Sequence, residues 1–385
     1  MKQFTIVLDG IADRPQEKLN GKTPMEAANT PGLDALFAQA KPGTVRTIPQ
    51  GMEIGSAVAN MNLLGYDPVK TYKGRAVIEA AGAGLPVKQG ALYVRCNLVT
   101  LEGGDFESSV MQSYSGHDID TQLSRPLIER LNKEVFHAPF ELINIDTFRN
   151  ILVVDGAAEI APALKFMPAH DMIGGKVADN LKGGEVMQPY FDMMRKAYDI
   201  LKEDNDTKAN AIWFWGASYA PEFEAPPAGR RVVLAETSLM RGISALSGTD
   251  CITTSEDNGF TAFLKDKTQA ALKALEDYDY AYIHIQKLDD LSHELQPVEK
   301  MEAIELIDAH FIRPFFAQVD EPYSAFVVSD HYTFSDSGGH GGEPAPFMLL
   351  GHGKSGKEGR FTEQCCRDAQ FSVSAPELVA LQREE

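Results

Sequence analysis

The stretch FTIVLDG, residues 4–10, carries the strongest fold signal of the chain, because a run of apolar and β-branched residues ends there at Asp9. Two later stretches repeat the pattern: YAYIHI at 280–285 and SAFVVS at 324–329 are each followed closely by an aspartate. Near-continuous hydrophobicity is typical of strands buried on both faces, as in a parallel sheet covered by helices. We therefore expect the acids at the carboxyl edge of one sheet, where open α/β sheets bind their ligands.

Helical patterns alternate with these strands. They lie at 30–39, where Pro31 suits a first turn, at 261–275 and at 300–311. Alternating strands and helices predict an α/β fold, with a doubly wound and mostly parallel sheet.

The middle of the chain has a different character. Residues 86–207 contain Gly-rich loops, strand-like runs and two helical patterns, without an Asp/His cluster of the kind found in the rest of the chain. We interpret them as a smaller α+β domain inserted into a discontinuous main domain, which would comprise residues 1–85 and 208–385. The run ANAIWF at 209–214 is predicted to return the chain to the main sheet.

Composition limits the classes of function. A chain of 385 residues with 44% hydrophobic and 24% charged residues can bury a large core, and its formal net charge of −19 disfavours nucleic acids and anionic membranes as partners. The first apolar run is too short for a signal peptide, and eighteen consecutive apolar residues occur nowhere. We expect a cytoplasmic protein whose four cysteines are reduced thiols.

Residue types that bind metal ions lie after the strands or in a Gly-rich turn. Asp289 and His293 are four residues apart and share one face if the segment is helical. Asp330 and His331 are adjacent, so their side chains diverge and can serve one ion or bridge two. His340 lies in the turn GGHGG. This mixture of carboxylates and imidazoles predicts a site for Mn²⁺, Zn²⁺ or Mg²⁺, and the three histidines favour the first two.

Ser56 precedes the helical run AVANMNLL and is predicted to lie at a helix N-terminus, where backbone N–H groups and the helix dipole favour negative charge. A serine at this position can simply cap the helix. Beside a divalent ion, however, its hydroxyl would ionise more readily and could attack phosphorus. Both interpretations stay open at this point.

Several segments together resemble a known family. They are VLDGIADRP, GKTPMEAANTPGLD, GSAVANMNLLGYDP, KGRAVIEAAGAGL and YVRCNLVT in the first 100 residues, followed late in the chain by DDLSH, VVSDH and GGHGG. The chain is similar, over essentially its whole length, to the cofactor-independent phosphoglycerate mutases of the archaeal type. Those enzymes belong to the alkaline phosphatase superfamily, so the resemblance implies a sheet of that type.

The resemblance also implies a mechanism. Ser56 would be the phosphorylated nucleophile of a glycolytic enzyme that interconverts 3-phosphoglycerate and 2-phosphoglycerate, with two divalent ions and without 2,3-bisphosphoglycerate. One ion would be held by Asp9, Ser56, Asp330 and His331, and the other by Asp289, His293 and His340. The inserted domain would act as a lid that carries cationic groups.

Arg95, in YVRCN, is the first candidate for binding the anion of a small phosphorylated substrate. Arg149, His170 and Lys267 are weaker candidates, since a structural salt bridge or cap explains each of them at least as well.

Three departures from the family pattern keep other functions open. Ala57 replaces an acid after the serine, QSYSGHD at 112–118 replaces an Arg-rich segment, and EDNG at 256–259 replaces a turn of small residues. The segment at 112–118 resembles a branch of the family proposed to be homoserine kinases, so a hydroxy amino acid is the alternative acceptor. A non-catalytic metal-binding scaffold is the third possibility. The native metal and the oligomeric state are left open.

Overall fold

The computed structural model describes residues 1–204, 206–224, 229–319, 322–351 and 359–383. Its strands are β1 (Lys2–Leu8), β2 (Lys41–Arg46), β3 (Leu92–Glu102), β4 (Val110–Ser113), β5 (Phe140–Asp146), β6 (Arg149–Val154), β7 (Ala211–Tyr219), β8 (Arg231–Leu234), β9 (Asp250–Ile252), β10 (Tyr280–Ile285), β11 (Tyr323–Val328), β12 (Tyr332–Thr333), β13 (His340–Gly341), β14 (Ala345–Leu350) and β15 (Ser372–Ser374).

Its α-helices are α1 (Pro24–Ala27), α2 (Pro31–Phe37), α3 (Ser56–Leu63), α4 (Pro68–Thr71), α5 (Arg75–Gly82), α6 (Thr121–Glu134), α7 (Val177–Asn180), α8 (Gln188–Leu201), α9 (Ser238–Ser247), α10 (Phe260–Asp277), α11 (Lys287–His293), α12 (Pro297–Ile307), α13 (Arg313–Phe316), α14 (Glu363–Asp368) and α15 (Ala375–Arg383). The helical patterns predicted around 30–39, 261–275 and 300–311 correspond to α2, α10 and α12, the last of which continues into a π-helical turn at Asp308–Ile312.

The chain divides into two compact units, one formed by residues 1–72 and 222–385 and the other by residues 73–221. We call them the sheet unit and the inserted unit. The sequence placed the boundaries at 85/86 and 207/208, so the inserted unit is longer at both ends than expected. The unit therefore includes α5 and β7, which the sequence boundaries left in the main domain. A hydrogen bond connects these two elements, since the Val77 N–H donates to the Ser218 hydroxyl over 2.8 Å.

The sheet unit is built around an eight-stranded sheet in the order β15-β2-β14-β11-β1-β10-β8-β9. The strand β1 lies between β11 and β10 and is parallel to both, and β8 and β9 continue the parallel part. On the other side, β14 is antiparallel to both of its neighbours. The predicted α/β class and the mostly parallel sheet are confirmed, and the antiparallel strand was not foreseen.

Burial explains why these strands occupy the centre of the sheet. All six residues of β10 are buried, as are the last five of β1 and the last five of β11. Helices α2, α10 and α12 contribute apolar side chains to the same core, in which Phe4 contacts Phe315 edge-on. Because both faces of the central strands are covered, their sequences are apolar without alternation.

The inserted unit contains a five-stranded antiparallel sheet in which four strands follow the order β4-β3-β6-β5 and β7 also pairs with β3. The prediction that residues 209–214 return to the main sheet is wrong, because β7 pairs with β3, with Phe214 opposite Cys96. Trp213 and Phe214 are buried in the core of the inserted unit. A short apolar run predicts a strand, but its pattern does not specify which sheet the strand joins.

Among the described residues, no helix is both long and apolar enough to cross a lipid bilayer.

Candidate active site

Seven predicted side chains lie together at the carboxyl edge of the central strands, and we call them the ligand cluster: Asp9, Ser56, Asp289, His293, Asp330, His331 and His340. Asp9 directly follows β1, and Asp330 follows β11 after one intervening residue. Asp289 and His293 lie one turn apart on α11, so the segment is helical and their spacing places them on one face. Since parallel strands end at the same edge, residues from distant parts of the chain meet there.

Ser56 is the first residue of α3. The N-cap position is held by Gly55, and no side chain caps the helix, so the interpretation of Ser56 as a simple N-cap is wrong. The Ser56 Oγ lies 3.0 Å from Nε2 of His331. The helix therefore directs its unpaired N–H groups and the serine hydroxyl towards the same region.

Asp9 and Asp330 are two fully buried carboxylates with different surroundings. Asp330 accepts hydrogen bonds from the backbone N–H groups of Gly10 and His331 and from the Asn60 side chain. Neither carboxylate oxygen of Asp9 has a hydrogen-bond partner among the described residues. Burial, followed by the charges of Asp330 and Asp289, raises the pKa of Asp9 well above its ordinary value. The pair thus concentrates negative charge away from water, which is costly unless a cation neutralises it.

The sequence interpretation missed His284, the fifth residue of β10. Its ring is buried, and ligand atoms of His284, Asp9 and Asp330 lie within 4.8 Å of one another. Burial lowers the pKa of His284 to about 4, so the ring is neutral near pH 7. A single histidine in the otherwise apolar strand YAYIHI, close to its carboxyl end, was the signal that could have identified it.

A second group of ligand atoms centres on Asp289. Its carboxylate lies 3.2 Å from Nε2 of His293 and 3.4 Å from Nε2 of His340, and ligand atoms of Asp289, His331 and His340 fall within 4.8 Å of one another. Burial alone would raise the pKa of Asp289, but hydrogen bonds from His293 and His340 and the charges of His331 and His293 lower it. Asp289 in turn raises the pKa of His293, so a metal ion there competes with a proton.

Hydrogen bonds orient two of the imidazoles. Nδ1 of His293 donates to the Gly338 carbonyl over 2.8 Å, so in the neutral ring Nε2 carries the lone pair, and in the protonated ring Nε2 donates to Asp289. The Thr333 hydroxyl donates its only proton to Asp289 and lies 3.0 Å from Nδ1 of His331, so that Nδ1 must be the donor. Nε2 of His331 then also presents a lone pair to the cluster. Thr333 reaches this position because β12 pairs with β13, which sets it opposite His340.

The loop after Asp9 approaches α11 closely at Gly10. Its φ is +62°, and a Cβ atom there would lie 2.5 Å from the Thr333 hydroxyl oxygen and 2.9 Å from a carboxylate oxygen of Asp289. Both the left-handed backbone and the lack of space require glycine. The close approach brings the end of β1 against the Asp289 group.

Another buried acid, Asp13, lies four residues after Asp9 and is fully paired. It forms an ion pair with the buried Lys300 over 3.1 Å and accepts hydrogen bonds from Ser335, Gln16 and the Arg14 N–H. Lys300 also donates to the Thr333 carbonyl. We call these residues the support network, because they fix the loop behind the ligand cluster.

Glu363 extends the support network. It is buried, and its two carboxylate oxygens accept from the Asp13 N–H over 3.0 Å and from the Thr23 hydroxyl over 2.8 Å. Burial raises its pKa to about 7.

Lys267, a predicted substrate residue, lies in the sheet unit but is completely buried. Its ammonium contacts both carboxylate oxygens of Glu236 at 2.7 and 2.8 Å, and Thr254 also donates to Glu236. The structure therefore gives Lys267 an internal partner. Loss of part of its hydration raises the pKa of Glu256, which lies in the segment that departs from the family pattern.

The other predicted substrate residues belong to the inserted unit. Arg95 on β3 forms a 2.9 Å ion pair with Glu79, and its guanidinium lies 3.4 Å from the centre of the Trp215 ring. The Trp215 indole N–H donates to Asn97. Arg95 is thus held by both charge and stacking.

Arg149 and His170 are more exposed. Arg149 pairs with Asp146 at 2.7 Å on the surface of β6. His170 contacts Trp215 edge-on, with 5.4 Å between the ring centres. Both residues have structural partners. Of the two, only His170 shares a neighbour with Arg95, namely Trp215.

The segment at 112–118 has an unusual backbone. Gly116, His117 and Asp118 all have φ near +58°, a conformation that costs energy for the two residues with side chains. Hydroxyls compensate in part, since Ser113 accepts from the His117 N–H and Ser115 from the Asp118 N–H. The departure from the family pattern therefore forms a defined turn.

The chemistry of the ligand cluster fits divalent cations. It offers buried carboxylates, imidazole lone pairs and a serine hydroxyl, and the uncompensated oxygens of Asp9 show where positive charge is missing. Nitrogen and oxygen donors in this proportion suit Mn²⁺ or Zn²⁺.

Comparison with known proteins supplies independent information. The family model described as 2,3-bisphosphoglycerate-independent phosphoglycerate mutase matches residues 38–205. A protein of that name from Methanosarcina barkeri is 31% identical over 405 aligned positions, which cover 99% of each chain. A probable mutase of the same kind from Geobacter sulfurreducens is also 31% identical, over 97% of each chain.

Solved structures share the fold. A protein from Pyrococcus horikoshii superimposes with a TM-score of 0.80 at 24% identity, covering 100% of this chain and 96% of the other. The cofactor-independent phosphoglycerate mutase from Thermoplasma acidophilum gives a TM-score of 0.63 at 19% identity, covering 99% and 98%. At these identities the similarity establishes the architecture alone.

Proposed function

The chain belongs to the family of 2,3-bisphosphoglycerate-independent phosphoglycerate mutases, and we propose that it interconverts 3-phosphoglycerate and 2-phosphoglycerate at the ligand cluster. The observation that carries this proposal is the meeting of Ser56 with buried carboxylates and imidazoles, in which the Ser56 Oγ lies 3.0 Å from Nε2 of His331. The substrate would be a small phosphorylated metabolite, and no 2,3-bisphosphoglycerate would be needed.

Two divalent ions are part of the proposal. One would be held by Asp9, Ser56, Asp330 and His331, and the other by Asp289, His293 and His340. When bound, such ions would lower the pKa of the serine hydroxyl and neutralise the charge of the phosphoryl oxygens. Support comes from the donor set and from the unpaired oxygens of Asp9, whose burial is otherwise unfavourable.

Ser56 would act as the nucleophile. Its Oγ would lose its proton and form a bond to phosphorus while the bond from phosphorus to the substrate oxygen breaks. That oxygen would take up a proton, so a phosphoserine and free glycerate result. The other glycerate hydroxyl then attacks the phosphoserine, and the serine is regenerated. The N–H groups at the start of α3 would stabilise the negative charge on the phosphoryl group, since they have no partners within the helix.

Arg95, Arg149, His170 and Lys267 stay proposed substrate residues. Arg95 and Lys267 already have carboxylate partners in Glu79 and Glu236. A substrate anion would have to compete with those carboxylates. Each arginine can be tested by substitution with lysine, which keeps the charge but loses bidentate geometry.

The test is to incubate metal-loaded protein with 3-phosphoglycerate and, separately, with homoserine and ATP, and to follow both by phosphorus NMR. Formation of 2-phosphoglycerate without added 2,3-bisphosphoglycerate is the expected result. Phosphohomoserine in the second tube, with no product in the first, would replace the mutase proposal by the kinase alternative.

The scaffold alternative is tested with the same protein. Mn²⁺ at 100 times its dissociation constant should stabilise the fold by about 2.7 kcal/mol per site, which a thermal melt can detect. Bound ions without turnover of either substrate would favour a scaffold. A protein that binds no divalent ion would contradict the enzyme proposal.

A further inference from the structure

The position of His284 follows from strand register. In the parallel pairing of β1 with β10, His284 lies opposite Val7 and Ile285 opposite Leu8, and the Asp9 N–H donates to the Ile285 carbonyl over 3.0 Å. Asp9 therefore emerges from β1 beside the end of β10. Two adjacent strands thus bring a carboxylate and an imidazole to one point at the edge of the sheet.

The atoms at this point lack partners. Within the described ranges, both ring nitrogens of His284 and both carboxylate oxygens of Asp9 are buried without a hydrogen bond. A buried polar group left unpaired costs about 1–3 kcal/mol, so native proteins rarely retain one without a reason. Here four such atoms belong to two neighbouring side chains, which indicates that a shared partner is required.

A hydrogen-bonded histidine–aspartate pair does not explain the arrangement. Nε2 of His284 lies 3.0 Å from one oxygen of Asp9, yet neither atom is in hydrogen-bond geometry. The hydrogen bonds of Asp330 come from Gly10, His331 and Asn60, which are neutral donors. No lysine or arginine is among these donors, so the two buried carboxylates need a cation.

We propose that His284 is a further ligand of the ion that Asp9 and Asp330 would hold. It would be an eighth ligand residue of the two-ion site, beside the seven of the ligand cluster. The proposal rests on the two-ion site of the proposed function and adds a donor to it. Two atoms that bind one ion at about 2.0–2.2 Å can be no more than about 4.4 Å apart, and Nε2 of His284 lies 3.0 Å from an oxygen of Asp9. The added nitrogen donor favours Mn²⁺ or Zn²⁺ over Mg²⁺ at this ion.

The first test is His284→Leu, which removes the metal-binding nitrogen and places an apolar side chain in the buried strand. Titration of metal-free protein with Mn²⁺ by calorimetry should show two sites in the wild type, one of them weakened by about 100-fold or more in the variant. His293→Leu is the matched control, because it should weaken the site centred on Asp289. If His284→Leu binds both ions with wild-type affinity, the proposal is wrong.

Melting temperature separates a ligand from a structural residue. In EDTA, His284→Leu should melt at or above the wild-type temperature, since it removes an unpaired buried group, and the rise on adding Mn²⁺ should be smaller. A structural role predicts the reverse: a lower melting temperature in EDTA and an unchanged rise with Mn²⁺.

His284→Asp keeps the proposal testable if the leucine variant does not fold. An oxygen donor at this position should restore binding of two Mn²⁺ ions and increase the affinity for Mg²⁺ relative to the wild type. Two ions in the wild type without formation of 2-phosphoglycerate would refute the proposed function while leaving the role of His284 intact. Unchanged metal preference in His284→Asp would overturn the role of His284 alone.

Discussion

Asp9 and Asp13 lie four residues apart on one loop and are both buried, but their surroundings are opposite. The carboxylate of Asp13 has a lysine partner and several N–H and O–H donors, whereas that of Asp9 has no hydrogen bond among the described residues. Asp13 belongs to the support network and Asp9 to the ligand cluster. A satisfied buried acid stabilises the fold by itself, and an unsatisfied one indicates that a ligand completes its surroundings.

The same contrast extends to the histidines and lysines nearby. Lys300 donates hydrogen bonds to the Asp13 carboxylate and to the Thr333 carbonyl. In contrast, neither ring nitrogen of His284 has a hydrogen-bond partner in the part of the chain that the structure describes. The two regions should therefore respond in opposite ways to substitution in the absence of metal. The predictions below test that difference, beginning with the largest effect.

Ser56→Ala should reduce mutase activity by about 10⁴-fold or more, equivalent to about 5 kcal/mol, because the nucleophile is lost. The fold and the number of bound ions should change little, as judged by circular dichroism and metal analysis. Ser238→Ala is the matched control, since Ser238 is also the first residue of a helix and is exposed. Activity of Ser56→Ala above a few per cent would mean that another group is the nucleophile.

Lys300→Met should destabilise the protein by about 3–5 kcal/mol, because it leaves Asp13 charged and buried without its cation. The effect belongs to the support network and should be present in EDTA. Urea unfolding followed by circular dichroism measures it. Lys273→Met, which breaks an exposed pair with Glu276, should cost less than about 1 kcal/mol. Equal effects of the two substitutions would contradict the assigned role of Lys300.

Glu363→Gln should change how stability depends on pH. The pKa of Glu363 is raised in the folded protein to about 7 from an ordinary value of 4.5, so the folded state binds its proton more tightly than the unfolded state. Its stabilising contribution is complete below pH 4.5 and is lost as the pH rises to about 7.

The glutamine variant has no ionisable group at this position, so it does not lose this contribution as the pH rises from 4.5 to about 7. It should match the wild type near pH 4 and exceed it by about 3 kcal/mol at pH 8, as measured by urea unfolding across the pH range. Glu299→Gln, at an exposed position of α12, is the control and should give no such difference. A pH-independent difference between Glu363→Gln and the wild type would contradict the prediction.

Asp9→Asn and Asp13→Asn apply one substitution to the two sides of the comparison. In EDTA, Asp9→Asn should stabilise the protein by about 1–2 kcal/mol, since it removes a carboxyl group that is unfavourable to ionise beside Asp330 and has no hydrogen bond among the described residues. Asp13→Asn should destabilise it by about 1–3 kcal/mol, because the donors around Asp13 lose a charged acceptor. Calorimetric melts provide both values. A change of the same sign in both variants would remove the distinction between the two regions.

Much of the sheet unit could be predicted from local sequence. The strands β1, β10 and β11 were located because long apolar runs are strong local signals, whereas the i, i+4 spacing of Asp289 and His293 left the helix α11 as a condition. The edge at which Asp9, Asp289 and Asp330 meet followed from one general property of parallel sheets.

Other features depend on contacts between distant segments, which local patterns do not contain. The pairing of β7 with β3 is an example, since the apolar run at 209–214 would suit either sheet. Thr333 likewise orients His331 through a pairing with β13 that no spacing predicts. His284 escaped notice because a histidine in a buried strand is usually a residue of the core.

The position of β1 between β10 and β11 has a consequence for the newly made protein. The register sets Gln3 opposite Tyr280 and Lys2 opposite Tyr323, so a ribosome adding about 5–20 residues per second takes roughly 14–55 s to supply even the first partner of β1. All five strands of the inserted unit, which is continuous in sequence from 73 to 221, are synthesised within that interval. The apolar N-terminal strand must wait unpaired meanwhile, and the metal site can assemble only after most of the chain has left the ribosome.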